Sequence, residues 1–252
     1  MTKNRLPSTW DQDAKDVRIA VAEGKSLPAN ADIVLLPERA AFLPKTSTVV
    51  CSDIHLGKAA TFRHAGMPIP EGSAQHDLKR LLNIIDQYNA RRLLITGDLF
   101  HARSGCTPQV LEEFSEFCKH VESSTGTDVV LVLGNHEQSL GKKFRPYEIG
   151  ISRCDIEIIE PPFHFVHDQT KRSNVQPGSF TIAGHVHPTI TIRGTGRDRL
   201  TCRCFVTTGT TLTLPAFGSF TGGYKIRPTA RSHVWLSLND EVMPLASALN
   251  RS

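Results

Sequence analysis

Four short apolar runs, each closed by metal-capable side chains, constrain this chain more than any other feature. Thr48-Val49-Val50-Cys51-Ser52 leads into Asp53-Ile54-His55-Leu56-Gly57, and Arg92-Leu93-Leu94-Ile95-Thr96 into Gly97-Asp98. Val129-Val130-Leu131-Val132-Leu133 ends in Gly134-Asn135-His136-Glu137, and Phe180-Thr181-Ile182-Ala183 in Gly184-His185-Val186-His187. A short β-branched run closed by such residues reads as a buried strand turning out into a loop. Alternation along a strand puts Asp53 and His55 on one side of its exit, where an acid and an imidazole can hold one metal ion. A single Asp-x-His reads equally as a surface loop; four such strand ends in order do not. Open α/β sheets place their sites at the carboxyl ends of strands, and a Gly before the ligand lets the backbone turn sharply.

The segments between these runs fit an α/β domain. Ser73 to Tyr88 carries Leu78, Leu81, Leu82 and Ile85, one face of an amphipathic helix. Thr107-Pro108 reads as an N-cap followed by Pro at the first helical position, with an apolar stripe Val110, Leu111, Phe114, Phe117, Cys118 and Val121 behind it. Strand, helix, strand, helix, strand predicts parallel pairing with helices covering the sheet. Upstream, Asp16–Ala22 and Ala31–Leu36 read as strands around a Gly24–Pro28 loop, after a loose arm over 1–16. Beyond Asn135 the chain is strand-rich: Ile156–Ile159, Phe163–Val166, Ile190–Ile192, Leu200–Thr207 and Val234–Leu238. With no repeat or linker in 252 residues, one domain is expected.

Composition excludes several classes. No apolar stretch approaches the roughly 20 residues that span a bilayer, and Met1–Ser8 lacks the apolar core of a secretory signal, which predicts the cytoplasm. Six scattered cysteines (51, 106, 118, 154, 202, 204) read as reduced packing residues rather than disulfides. A net charge of +4 permits a polyanionic partner without requiring one.

The motif order Asp-x-His, Gly-Asp, Gly-Asn-His-Glu, a lone His and Gly-His-x-His resembles the calcineurin-like metallophosphoesterase superfamily over about Thr48 to His187. The resemblance implies a four-layer α/β/β/α sandwich and two divalent ions. Carried over position by position, one ion takes Asp53, His55, Asp98 and His187, and the other Asp98, Asn135, His167 and His185. Asp98 is the natural bridge, since a carboxylate has two oxygens to share. His167 matches the lone His by its place at the end of Phe163–Asp168, with His164 as rival, although Asp168 stands where the superfamily usually has Gly. His136 resembles the catalytic imidazole, stabilising phosphoryl oxygens and protonating the leaving alkoxide; the attack on phosphorus comes from a hydroxide shared by the ions. Glu137 is expected to support the site rather than ligate. Oxygen and nitrogen ligands without thiolates suit Mn²⁺, Fe or Zn²⁺, with Mn²⁺ the expected activator.

Flanking segments narrow the resemblance. Leu35–Ala40, the stretch after His55 to Gly72, Leu99–Arg103 and Leu214–Gly223 are similar to the bacterial ligase-associated DNA-damage-response endonuclease branch (PdeM-type). That implies a phosphodiesterase acting on DNA, functionally associated with a DNA ligase and a helicase. Lys58, Arg63 and Arg103 follow metal ligands in loops and are candidates to hold flanking phosphates. Phe62, Phe217 and Phe220 either stack on unpaired bases or belong to the core. The alternatives are a nucleotide or nucleotide-lipid phosphodiesterase or pyrophosphatase on the same metal core, and a non-catalytic scaffold.

Overall fold

The computed structural model describes residues 17–20, 32–64, 66–67, 72–102, 104–171, 173, 178–193 and 198–246. The expected arm over 1–16 and the loop over 24–28 lie outside them.

Two sheets face each other. The first runs in chain order: β1 (Val17–Ala20), β2 (Asp32–Leu35), β3 (Ala41–Leu43), β4 (Thr48–Cys51), β5 (Arg92–Thr96), β6 (Asp128–Val132) and β7 (Arg153–Asp155). Neighbours from β1 to β4 are antiparallel and those from β4 to β7 parallel. Parallel neighbours need crossovers. Helices α1 (Lys58–His64) and α2 (Ser73–Tyr88) fill the first, and α3 (Pro108–Thr125) the second.

The strands are buried on both faces, and their alternation feeds two cores. Val49, Cys51, Leu93, Ile95, Val129 and Leu131 face the helices. Val50, Leu94, Val130 and Val132 face the second sheet. α2 spans the expected residues and buries Leu78, Leu81, Ile84 and Ile85, with Leu82 only partly covered. α3 starts as its sequence demands: the Thr107 hydroxyl accepts the Val110 N–H, and Pro108 needs no partner for a missing donor. Phe114 is fully buried beneath it, and each large side chain so covered contributes roughly 1.5–3 kcal/mol. That burial, more than intrinsic propensity, holds the helix to the sheet.

The second sheet comprises β8 (Glu157–Glu160), β9 (Phe163–Val166), β10 (Phe180–Ala183), β11 (Pro188–Arg193), β12 (Arg199–Thr208), β13 (Thr211–Thr213), β14 (Tyr224–Lys225), β15 (Ser232–Ser237) and β16 (Val242–Pro244). Its order is β14-β11-β12-β13-β10-β9-β8, with β15 also on β12 and β16 on β15. Phe163, Phe165, Phe180, Ile182, Phe205 and Trp235 project from it into the inter-sheet core. Cys202, Cys204, Val234 and Leu236 form its outer face, and Leu245, in a helical turn at the edge of the described residues, packs on them. All six cysteines are free, four of them buried, as the lack of framework spacing predicts. Among the described residues no helix is long and apolar enough to cross a membrane.

The important consequence is positional. β4, β5, β6, β9 and β10 all end at one edge of the two-sheet core, each followed within three residues by a predicted site residue.

Candidate metal centre

The loops after β4 and β5 continue the parallel pairing past the sheet. Asp53 N–H donates to Gly97 O, His55 N–H to Asp98 O (both 3.0 Å), and Leu56 N–H to Leu99 O (2.7 Å). Asp53 and His55 do share a side, but not through strand alternation. Both lie beyond β4 in left-handed backbone, φ 55° and 52°; Asp98, His185 and His187 do the same at 49°, 69° and 49°. Each such residue costs roughly 1–2 kcal/mol, and five together mark a backbone over-determined by its surroundings. Of the glycines before the ligands, Gly97 turns the chain at φ 88°. Gly134 and Gly184 are not left-handed and act by leaving room. A Cβ on Gly134 would collide with the Asp98 amide and carboxylate, and one on Gly184 with Ser52 Oγ and Asp53 Oδ2.

The predicted ligands converge in two groups. In one, His187 Nε2 lies 3.0 Å from Asp53 Oδ1 and 3.4 Å from His55 Nε2. In the other, His167 Nε2 lies 3.3 Å from Asp98 Oδ2, 3.0 Å from Asn135 Oδ1 and 3.2 Å from His185 Nδ1. Asp98 joins them through one oxygen rather than two. Its Oδ1 accepts the His136 N–H at 3.0 Å, while Oδ2 faces His167 on one side and His55, at 3.9 Å, on the other. Asp53, His55, Asp98 and His167 form a buried floor; the side chains of His136, His185 and His187 form a partly exposed rim.

Neighbouring groups aim these ligands. His167 Nδ1 donates to Thr96 O at 2.9 Å, which turns Nε2 inward. His164 has no place in the cluster: its Nε2 pairs with Glu157 Oε2 at 2.8 Å. Asp168 faces the outer Nε2 of His185 at 3.8 Å, so the residue that departs from the superfamily pattern backs a ligand. Buried Glu137 accepts three backbone N–H groups at 3.0 Å, from Asp98, Phe100 and Gly134. It ties the Gly-Asp turn to the short helix α4 (Asn135–Leu140). Burial pushes Glu137 up to about 7 against those donors. Burial also drives His55 down to about 3, despite Asp53 and Asp98. His167 and Asp98 go the opposite way: burial is the largest influence and disfavours both charges, but their mutual hydrogen bond and the neighbouring charges and backbone bonds together outweigh it, raising His167 to about 9 and lowering Asp98 to about 2.

At the rim, His136 Nε2 stands 3.7 Å from Asp98 Oδ2. His101, which the motif reading passes over, stacks on it with centroids 5.3 Å apart and touches His55 Nδ1 at 3.4 Å through its own Nδ1. Its signal was its place three residues after Asp98. Lys58 and Arg63 lie on α1, not in a loop as expected. Lys58 Nζ lies 5.9 Å from the centroid of the Phe62 ring, which lies 6.2 Å from His101. Its proximity, after burial, lowers His101 to about 4. Arg103 falls outside the described residues. For Phe217 the structure decides between the two readings in favour of the core: it is fully buried with the Arg80 guanidinium 4.2 Å from its ring centroid, so no base can stack on it. Phe220 remains exposed.

The donor set fits divalent metal. Asp53 Oδ1 is buried with no hydrogen-bond partner although His187 Nε2 is 3.0 Å away, an arrangement that would be costly unless a cation completed it. Asp53, His55 and His187 can hold one ion, and Asp98, His167 and His185 another.

The calcineurin-like phosphoesterase family matches residues 46–201. Among solved structures, the chain is similar to the nuclease MPE of Pseudomonas putida at 31% identity and TM-score 0.69, covering 85% of this chain and 96% of that one. A second similar structure is Yfce, a phosphoesterase from E. coli, at 15% identity and TM-score 0.38, covering 75% and 86%. No curated protein matches.

Proposed function

The chain belongs to the calcineurin-like phosphoesterase family and is a metal-dependent phosphoesterase; from that premise we propose that it is a two-metal phosphodiesterase that cuts DNA internally. The likeness over 85% of the chain to a nuclease carries this reading. Asp53, His55 and His187 would hold one divalent ion and Asn135, His167 and His185 another, with Asp98 within reach of both; such ions, Mn²⁺ by preference, would supply a water acidified at neutral pH and a clamp for phosphoryl charge.

The remaining residues orient and move protons. His136, on the rim at the start of α4, donates to a phosphoryl oxygen and then gives its proton to the departing alkoxide. His101 fixes the planes of His136 and His55 from behind. Lys58, Arg63 and Arg103 hold phosphates either side of the cut, which positions a strand without reading its bases. The flanking-segment resemblance extends the proposal to a role in DNA repair beside a DNA ligase and a helicase.

The test strips the protein of metal, restores Mn²⁺ and assays a chromogenic phosphodiester, the matching monoester and both circular and end-labelled single-stranded DNA. Mn²⁺-dependent diester hydrolysis with linearisation of the circle is expected. Diester cleavage that spares DNA would move the substrate to a nucleotide or nucleotide-lipid diester. Absence of any turnover, with ions bound, would leave a scaffold.

A further inference from the structure

The loop Leu214–Gly223, conspicuous in the sequence and unused by the reaction, curls around one guanidinium. Arg203 Nη1 donates to Ala216 O (3.3 Å) and Gly218 O (2.9 Å), and Nη2 to Ser219 O (3.1 Å) and Thr221 O (2.6 Å). No carboxylate among the described residues pairs with it. The peptide that offers Ala216 O to Arg203 turns its N–H, that of Phe217, the other way, to Ser52 O at 2.9 Å. In the next peptide, whose carbonyl Arg80 holds, Gly218 N–H donates to Asp53 O at 3.2 Å, and Arg203 grips the same glycine through Gly218 O.

Ser52 O and Asp53 O belong to the peptide planes on either side of the Asp53 Cα. Because peptides are planar, tying both fixes φ and ψ between them, which is what a carboxylate ligand in left-handed backbone requires. Gly218 can approach only because it has no Cβ, which would collide with Ile54 O. Just past the loop, Tyr224 N–H donates to His187 O at 2.8 Å. On the opposite flank α2 anchors the loop: Asp77 accepts the Ser219 N–H (2.9 Å) and hydroxyl (2.5 Å), and Arg80 donates to Phe217 O (3.1 Å). These contacts reach the backbones of Asp53 and His187. Asn135 and His167 receive none of them; His185 is reached through its N–H to Asp53 Oδ2 at 3.0 Å and, on the strand behind it, through Leu214 N–H to Ala183 O at 2.8 Å, a contact ahead of the segment that Arg203 holds.

We propose that Arg203 is a positioning residue for half of the centre: through the Leu214–Gly223 loop it holds Asp53 and His187 in place, and thereby sets the affinity of the ion they share with His55. The proposal rests on the two-metal reading. It makes the two positions separately tunable, since the segment that Arg203 holds ties Asp53, while Glu137 and Asp168 brace the other side. Arg203 suits this because a planar fork spans four carbonyls, which a lysine ammonium cannot.

Calorimetric titration of Mn²⁺ into metal-stripped protein tests it, with folding checked by circular dichroism. Wild type should bind two ions. Arg203→Gln should weaken one by about 10–100-fold, the usual range for losing a group behind a ligand, and leave the other near its wild-type affinity. Arg203→Lys should recover part of the loss, and His185→Ala should weaken the opposite ion. Asp77→Ala, which releases the loop from α2, should repeat the Arg203→Gln pattern more mildly and serves if that variant does not fold. Equal weakening of both ions, or of neither, overturns the proposal while the two-metal reading stands. A wild type that binds one ion overturns both.

Discussion

His101 lies against His136 with ring planes 27° apart and centroids 5.3 Å apart, and its Nδ1 is 3.4 Å from Nδ1 of His55. One imidazole thus touches both His136, the proposed proton donor of the rim, and His55, a candidate ligand of the floor. His101→Ala should lower kcat on a phosphodiester by about 10–100-fold while the bound Mn²⁺ count stays unchanged. Steady-state kinetics alongside metal analysis checks both halves; loss of an ion in the variant would make His101 a ligand instead.

His136→Ala should cost about 10²–10⁴-fold in kcat with little change in KM. The loss should shrink when the leaving group is a nitrophenol, which departs without a proton, and be full for a DNA alkoxide. Equal losses on both substrates would remove the general-acid role.

How much of this was legible in the sequence depended on range. Continuous apolar runs announced β4, β5 and β6, and helical stripes α2 and α3, because each is a local pattern. α1 and α4, with 7 and 6 residues, were not announced; helices that short exist only through tertiary packing. The candidate ligands that the structure brings together were readable because each follows a recognisable strand. His101 was not, since the pairing of two loops after different strands brings it to His55 and His136. Phe217 stayed open between core and stacking for the same reason: the Arg80 that covers it is 137 residues away.

Gly134→Ala, at the N-cap of α4, should be poorly tolerated for more than the ordinary weakness of alanine as a cap. The new Cβ meets the Asp98 amide and carboxylate, so α4 or the Gly97-Asp98 turn must shift, at about 1–3 kcal/mol. Thermal melts should show the loss, with weakened Mn²⁺ binding. A variant with wild-type melting and metal affinity would mean that this close approach is not needed.

In metal-free protein His167 is held charged: burial opposes the charge, but Asp98 and Asp53 outweigh it and raise the group from 6.5 to about 9. A group raised on folding contributes stability that is full below its unfolded pKa and lost as pH rises through the folded one. Metal-free protein should therefore lose roughly 3 kcal/mol between pH 6.5 and about 9, a fall in Tm that His167→Gln flattens. Mn²⁺ affinity should climb over the same window, because the proton must leave Nε2 first. A Tm that rises across it would contradict the assignment.

The most direct test of the account is an anomalous difference map from crystals loaded with Mn²⁺. Two peaks roughly 3.5–4 Å apart, on either side of Asp98 Oδ2, are expected, one against Asp53, His55 and His187 and the other against Asn135, His167 and His185. A single peak, or two that leave Asp98 unshared, would contradict the two-metal centre.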